Sequence, residues 1–185
     1  MCYIYAMSDP RYDYPRTNAI KVIIQAHSEK ILLLQEPETN EWMPLHWGFP
    51  GGKPLMGESF IEAYKRKMEG ELGLDIKPEG IIKIEELLQG EKTVVRYHLL
   101  AKSEEEFNPN GEAKNHKWMS KEEIENMQTE EFTEFFNKNL LLSFLNGEFQ
   151  ITPLSLIETQ DYNKLIKDND LSYKSWFSSG KKESR

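Results

Sequence analysis

Apolar and polar residues alternate along an early segment of the chain, at residues 19–26, in the pattern typical of a β-strand. The residues that carry the alternation are Ile20, Lys21, Val22, Ile24 and Gln25. A polar stretch at residues 27–30 separates this segment from a second apolar run at 31–34. Two short strands joined by a polar turn predict a β-hairpin.

A helical pattern follows at residues 57–72, where apolar residues recur at helical spacing and form one stripe. The residues of the stripe are Phe60, Ile61, Tyr64, Met68 and Leu72. Gly73 comes next, at the place where a glycine in the left-handed conformation commonly ends a helix. The pattern therefore predicts one amphipathic helix with Gly73 as its C-cap.

The second half of the chain carries further strand and helix signals. Residues 76–88 and 93–101 are rich in strand-forming residues. Ser120 and Glu123 have the spacing of a capping box, which marks the start of a helix, and a second amphipathic helix is predicted over about residues 130–145. The order of strands, one helix, strands and then helices predicts an α/β protein, in the form of an α+β mixed sheet covered by helices.

The length of 185 residues favours one domain of ordinary size. Residues 1–16 are rich in tyrosine, proline and charge and are interpreted as an irregular lead-in. The domain itself is expected over residues 17–150. Residues 151–185 form a C-terminal extension, for which we expect a helix near 162–167 and disorder from residue 178 onward.

Composition and charge exclude several classes of protein. Cys2 is the single cysteine, so no disulfide framework can form. No apolar run is long enough to span a bilayer, and the N-terminus does not resemble a signal peptide, so we expect a cytoplasmic protein without a membrane partner. The net charge of -8 argues against nucleic-acid binding. A phosphate-containing small ligand remains compatible with this charge, because a bound divalent cation can supply the positive charge.

The segment that carries chemistry is GKPLMGESFIEAYKRKMEGELGL, residues 52–74. It resembles the Nudix box, in which a glycine, five residues, a glutamate and seven residues precede Arg-Glu-apolar-x-Glu-Glu-x-Gly-apolar. The positions in register are Gly52, Glu58, Arg66, Met68, Glu71, Gly73 and Leu74. The resemblance extends over about residues 18–145 and implies a Nudix-type α/β/α sandwich, a MutT-like hydrolase, a small nucleoside diphosphate derivative as its substrate, and a homodimer as the default assembly.

In the Nudix box the glutamates at positions 67, 70 and 71 share one face of the helix. Such a cluster binds a hard cation such as Mg²⁺, which draws charge off a diphosphate and activates water. This chain keeps Glu71, but Lys67 and Gly70 replace the other two carboxylates. Because the lysine would repel a second or third metal ion, we expect a single Mg²⁺, with Mn²⁺ as an alternative. The competing interpretation of Glu71 is an exposed ion pair with Lys67, four residues earlier.

One branch of the family, the GDP-mannose mannosyl hydrolases, is similar in lacking the first two of these glutamates. That resemblance implies one Mg²⁺ whose ligands would be the Gly51 carbonyl, Glu71 and Glu112, the last placed by its spacing back from Trp118. The histidine base of that branch corresponds to Ala113 here, which argues against the same sugar chemistry. His116 is the nearest histidine and a candidate general base.

The other candidate residues each have a structural alternative. Glu58 and Arg66 are interpreted as bracing the loop of the box against its helix. Trp42 and Trp47 could stack on a nucleobase or could seal the edge of the core. Two cations are candidates for substrate binding, Lys67 and Arg96. His98, on the same strand as Arg96, is interpreted mainly as a packing residue.

Three functional hypotheses follow. The leading one is a Mg²⁺-dependent hydrolase of a nucleoside diphosphate linked to another moiety, such as a nucleotide sugar. The second is a Nudix-fold nucleotide-binding or regulatory module without catalysis, because a lysine can contact phosphates without a metal. The third is a GDP-sugar glycosyl hydrolase, which would break a C–O bond in place of a P–O bond.

Overall fold

A computed structural model describes residues 16–41, 43–103, 115–134 and 137–159. The strands are β1 (Arg16–Ala26), β2 (Ile31–Gln35), β3 (Trp47–Gly48), β4 (Gly51–Gly52), β5 (Pro78–Gln89), β6 (Lys92–Ser103), β7 (Asn115–Met119) and β8 (Thr152–Pro153). The α-helices are α1 (Phe60–Leu72), α2 (Lys121–Asn126) and α3 (Asn137–Leu145). Short 3₁₀ turns lie at Thr129–Glu131 and Leu154–Leu156.

The strands form one mixed sheet in the order β3-β2-β1-β6-β5-β8, with β4 beside β1 and β7 beside β2. β1 runs parallel to β6 over their full common length, from Arg16 opposite Thr93 to Ala26 opposite Ser103. The other pairings are antiparallel, including the hairpin of β1 with β2. The predicted hairpin and the mixed sheet are therefore confirmed.

Strand β1 lies in the middle of the sheet and is buried on both faces. Ile20, Val22 and Ile24 belong to the core cluster that includes the α1 residues Tyr64 and Met68. Ile23 is fully buried on the opposite face. It packs in a second cluster with Ile124 of α2 and with Leu140 and Leu141 of α3. Helices thus cover both faces of the sheet, and the alternation in β1 accounts for only one of its two buried faces.

Helix α1 begins at Phe60, three residues later than the predicted start at residue 57. Ser59 is the N-cap: its hydroxyl accepts a hydrogen bond from the Glu62 N–H, and the Glu62 carboxylate accepts one from the Ser59 N–H. Gly57 has a φ of 79° and belongs to the preceding loop. At the other end Gly73, at φ 70°, donates to the carbonyls of the last turn, so the predicted left-handed C-cap is confirmed.

The helix predicted over residues 130–145 is shorter in the structure. Residues 129–131 form a 3₁₀ turn, and α3 begins at Asn137. Between these two elements, Phe132 and Thr133 pair with strand β3. Phe132 forms a parallel bridge with Trp47, and the Thr133 N–H donates to the Trp47 carbonyl at 2.8 Å. The helix predicted after Ser120 is confirmed, with Glu123 completing its capping box.

The C-terminal extension joins the sheet at its outset, since Thr152 and Pro153 pair with Ile81 and Gly80 of β5. The helix expected near residues 162–167 and the disorder expected from residue 178 lie outside the described residues. In the described part of the chain, no helix is both long enough and apolar enough to cross a bilayer.

Candidate active site

The candidate site is a cleft of about 300 Å³ at the place where β1 and β2 diverge. β1 pairs with β2 at Ile24 and Gln25, but at Ile20 and Lys21 the same edge of β1 pairs with β4. The residues that line the cleft are Lys21, Leu34, Gln35, Glu36, Pro37, Thr39, Gly48, Phe49, Gly51 and Glu71. The fork therefore brings the Gly-Gly segment and the end of α1 to one opening in the sheet.

Glu71 is the one box carboxylate in the cleft, and both of its oxygens accept hydrogen bonds. Oε2 accepts from the Gly51 N–H at 2.8 Å. Oε1 accepts from the Lys67 ammonium at 3.0 Å, one turn earlier on α1. The Glu71 side chain is only 19 % exposed, and the Lys67 side chain is 28 % exposed. The ion pair considered as the alternative for Glu71 is thus present, in a half-buried setting where water screens it less than at an open surface.

Both glycines of β4 lie at close approaches, Gly51 to backbone and Gly52 to the side chain of Lys67. Gly51 has a φ of 141°, and a Cβ there would lie 2.1 Å from the Ile20 carbonyl oxygen. A Cβ at Gly52 would lie 2.4 Å from Cε of Lys67. The stem of Lys67 therefore crosses directly over Gly52 on its way to Glu71, and the glycine makes room for the lysine.

Glu58 and Arg66 join the box loop to α1. The guanidinium binds the carboxylate in a fork, with Nε 2.7 Å from Oε1 and Nη2 2.8 Å from Oε2. Arg66 also donates to the Lys53 carbonyl, and the Leu55 N–H donates to Glu58. The hydrogen bond from Arg66 and that from the Leu55 backbone lower the pKa of Glu58 to about 2. These contacts are those that a brace between loop and helix requires.

Lys21 is a cleft residue that the sequence pattern did not single out. It is half-buried on β1, and burial of its ammonium lowers its pKa, against the opposing charges of Glu134, Glu71 and Glu36. The alternation in β1 suggested an outward polar position. A usable signal is that Lys21 lies between Ala19 and Ile23 on one face of the strand, so the lysine interrupts an apolar row.

Arg96, predicted to bind substrate, is buried on β6 and does not line the cleft. Its side chain is 5 % exposed, and Nη1 donates to Glu134 Oε2 at 2.6 Å. The neighbouring His98 is fully buried, with Nε2 2.8 Å from Glu85. Burial lowers the pKa of His98 to about 4 although the Glu85 carboxylate opposes this, so the neutral ring donates an ordinary hydrogen bond. Both residues hold neighbouring segments together in this structure.

The remaining predicted residues are dispersed. Trp47 pairs with Gln35 across β3 and β2 and packs on the second core cluster, and it does not line the cleft. His116 lies on β7 directly opposite Leu34, a cleft residue. Trp42 and Glu112 fall outside the described residues, so the structure does not place the predicted third metal ligand.

The side chains that could bind metal ions are few among the described residues. Across residues 16–41, 43–103, 115–134 and 137–159, no three side chains of His, Cys, Asp or Glu come together as a metal site. Glu71 already balances one positive charge, that of Lys67. A cluster of two or three divalent ions needs several carboxylates. The described residues therefore offer a cation the Glu71 carboxylate and do not by themselves form a multi-metal cluster.

Comparison with known proteins gives consistent matches to one fold. The MutT protein from Methanosarcina mazei Go1 is 22% identical, with a TM-score of 0.59, covering 74% of this chain and 96% of that one. A NUDIX hydrolase from Nitrosomonas europaea is 20% identical with a TM-score of 0.60, covering 80% and 99%. The dihydroneopterin triphosphate pyrophosphohydrolase of E. coli is 16% identical with a TM-score of 0.56, covering 72% and 98%. No curated protein sequence matches this chain.

The sequence itself matches the family model described as NUDIX domain over residues 15–140. This span contains the fork between β1 and β2, the Gly-Gly segment and the whole of α1. It also covers most of the chain, and the solved structures above share the fold over nearly their full lengths. The chain therefore belongs to the NUDIX domain family.

Proposed function

We propose that this protein hydrolyses a nucleoside diphosphate linked to a second moiety, and that it does so with one divalent cation, Mg²⁺ or Mn²⁺, bound at Glu71. The observation that carries the proposal is the position of Glu71, the retained box carboxylate, in the wall of a cleft beside Gly51. Family membership supports hydrolysis of a diphosphate. The residues that would hold the cation are Glu71, the Gly51 carbonyl and Glu112.

In the proposed reaction a water oxygen forms a bond to phosphorus, the bridging P–O bond breaks, and the water's protons leave with solvent and product. A bound divalent cation would supply charge neutralisation of the diphosphate. The chain's own contribution begins with the Gly51 N–H, which fixes one oxygen of the Glu71 carboxylate. Leu34 and Phe49 provide apolar wall for the nucleoside, beside the polar side chain of Gln35.

The Lys67–Glu71 ion pair favours a second candidate, a nucleotide-binding module without catalysis. In that case Lys67 would satisfy Glu71 permanently, and the phosphates would bind to lysines without a metal. The two candidates differ in a simple way. The hydrolase requires a cation to compete with Lys67 for Glu71, whereas the module requires the pair to stay closed.

The test is turnover of a panel of nucleoside diphosphate sugars, dinucleotides and nucleoside triphosphates, with Mg²⁺, with Mn²⁺ and with chelator. We expect one class to be hydrolysed only with metal, and Glu71→Gln to lower kcat by about a hundredfold or more. Glu69→Gln, an exposed carboxylate on the same helix, is the matched control. Reaction in ¹⁸O-labelled water shows the bond broken, because label in the phosphate marks P–O cleavage and label in the sugar marks C–O cleavage.

Three outcomes contradict the proposal. Label found in the sugar would establish the glycosyl hydrolase. Equal turnover by Glu71→Gln and wild type would remove Glu71 from the mechanism. Absence of turnover across the panel, together with nucleotide binding that chelator does not change, would establish the non-catalytic module.

A further inference from the structure

The cleft is lined by the ammonium-bearing residue Lys21, whose charge has no hydrogen-bonded or ion-paired partner among the described residues. Lys21 lines the cleft together with Gly51 and Glu71. Its backbone pairs with Gly51, so the side chain is anchored at the fork itself. In the described part of the chain its ammonium makes no hydrogen bond and no ion pair. A half-buried ammonium without a partner is costly to fold.

The carboxylates whose charges act on Lys21 are each engaged with another donor. These carboxylates are Glu134, Glu71 and Glu36. Glu134 binds the Arg96 guanidinium, and Glu71 binds the Lys67 ammonium. Glu36 accepts a hydrogen bond from the Asn40 amide at 2.8 Å. Among the described residues, the charge of Lys21 is therefore offset by carboxylates that make no hydrogen bond or ion pair with it.

A purely structural role does not explain a lysine at this position. Lys21 and His98 are paired across the parallel strands β1 and β6, and His98 packs edge-on against Phe49. An apolar side chain of similar length would fill this space without the cost of desolvating a charge. A positive group kept in a cleft at the expense of stability is typical of a site that binds an anion.

We propose that Lys21 is a phosphate-binding residue, and that Lys21, which lines the cleft with Glu71, and Lys67, which binds Glu71, together take up negative charge of the substrate's diphosphate. This inference rests on the proposed function for the identity of the ligand. The diphosphate of such a substrate carries two negative charges, and a divalent cation that is also bound to the Glu71 carboxylate neutralises only part of them. Two lysines in place of a second metal ion supply the remainder, which accounts for a box that has exchanged a carboxylate for Lys67.

The test uses inorganic pyrophosphate as the probe, with binding to the full chain measured by titration calorimetry, once with Mg²⁺ and once with chelator. We expect Lys21→Met to bind pyrophosphate about tenfold or more weakly than wild type in both conditions, because a hydrogen bond to a charged group is lost. Lys21→Arg keeps the charge and is expected within about threefold of wild type. Lys65→Met, an exposed lysine of the same helix as Lys67, is the control and should bind as wild type does.

Lys21→Gln is the second variant should Lys21→Met fail to fold, as judged by cooperative thermal unfolding. The inference is overturned if wild type does not bind pyrophosphate, if Lys21→Met binds within twofold of wild type, or if Lys65→Met loses as much affinity as Lys21→Met. Its failure is distinct from that of the hydrolase proposal. Weakened binding in Lys21→Met without turnover by wild type supports the phosphate site and contradicts the hydrolase, whereas turnover with unchanged binding does the reverse.

Discussion

The Lys67 ammonium lies 3.0 Å from Glu71 Oε1, so the residue that replaces a box carboxylate binds the carboxylate that remains. The same lysine passes over Gly52, where a Cβ would lie 2.4 Å from its Cε. The two departures from the Nudix box therefore differ in kind. Lys67 binds a residue of the site, whereas no contact with a described residue explains Gly70, since none lies within 4 Å of its Cβ position.

Restoring the box carboxylate should restore metal affinity. Lys67→Glu removes the ammonium from Glu71 and places two carboxylates one helical turn apart, which a divalent cation bridges favourably. We expect Mn²⁺ to bind about tenfold or more tightly than to wild type, as measured by titration calorimetry. Lys65→Glu adds the same charge on an exposed position and should change Mn²⁺ affinity by less than about threefold. Equal gains in the two variants would mean that net charge, and not the site, governs binding.

The two glycines of β4 should respond differently to alanine. At Gly51 the new Cβ would meet backbone, the Ile20 carbonyl oxygen at 2.1 Å, in a residue with a φ of 141°. We expect Gly51→Ala to lower the free energy of unfolding by about 3 kcal/mol or more in urea titrations. At Gly52 the new Cβ would meet only the flexible end of Lys67. Gly52→Ala should therefore cost less than about 1 kcal/mol, and comparable losses in both variants would contradict this account.

Gly70 should be replaceable with a gain in stability. It lies within α1, is exposed, and has open space where a Cβ would be. Alanine at an exposed position within a helix is more favourable than glycine because it restricts the unfolded chain. We expect Gly70→Ala to raise the free energy of unfolding by about 0.5–1 kcal/mol, measured by urea denaturation. A loss of stability in Gly70→Ala would contradict this account.

Buried His98 should make the protein less stable in mild acid. In the folded protein its pKa is lowered to about 4, and desolvation by burial is the largest cause. In the unfolded chain its pKa is near 6.5. The unfolded state thus binds a proton that the folded state does not. The stability contributed by the neutral ring is fully present above pH 6.5 and is lost as the pH falls from 6.5 toward 4.

Proton linkage at His98 therefore lowers the free energy of unfolding by about 2 kcal/mol between pH 7 and pH 5. His98→Gln keeps a donor for Glu85 and does not titrate, so the variant should lose less stability than wild type over the same interval. Urea denaturation at the two pH values measures the difference. Identical losses in wild type and His98→Gln would show that other groups cause the acid sensitivity.

Local features of this protein were predictable from the sequence because they depend on neighbours within a few residues. The capping box at Ser120 and Glu123 and the left-handed C-cap at Gly73 are set by backbone hydrogen bonds inside one turn. The register of Glu58 and Arg66 likewise depends on one loop and one helix. The predicted start of α1 at residue 57 was early because the prediction overlooked Ser59, whose capping box with Glu62 decides where helical hydrogen bonding begins.

Tertiary structure decided what each charged residue does. Arg96 and Glu134 are 38 residues apart, and only the packing of the segment before α3 against the sheet brings them together and buries the arginine. Lys21 lines the cleft because β1 pairs with β4 at this residue, whereas the same edge of β1 pairs with β2 farther along the strand. The alternation around Lys21 could not reveal this, since a pattern along one strand records which faces are apolar but not which strands lie beside it. Burial and charge pairing depend on that arrangement, because the desolvation of a charge is set by everything packed around it.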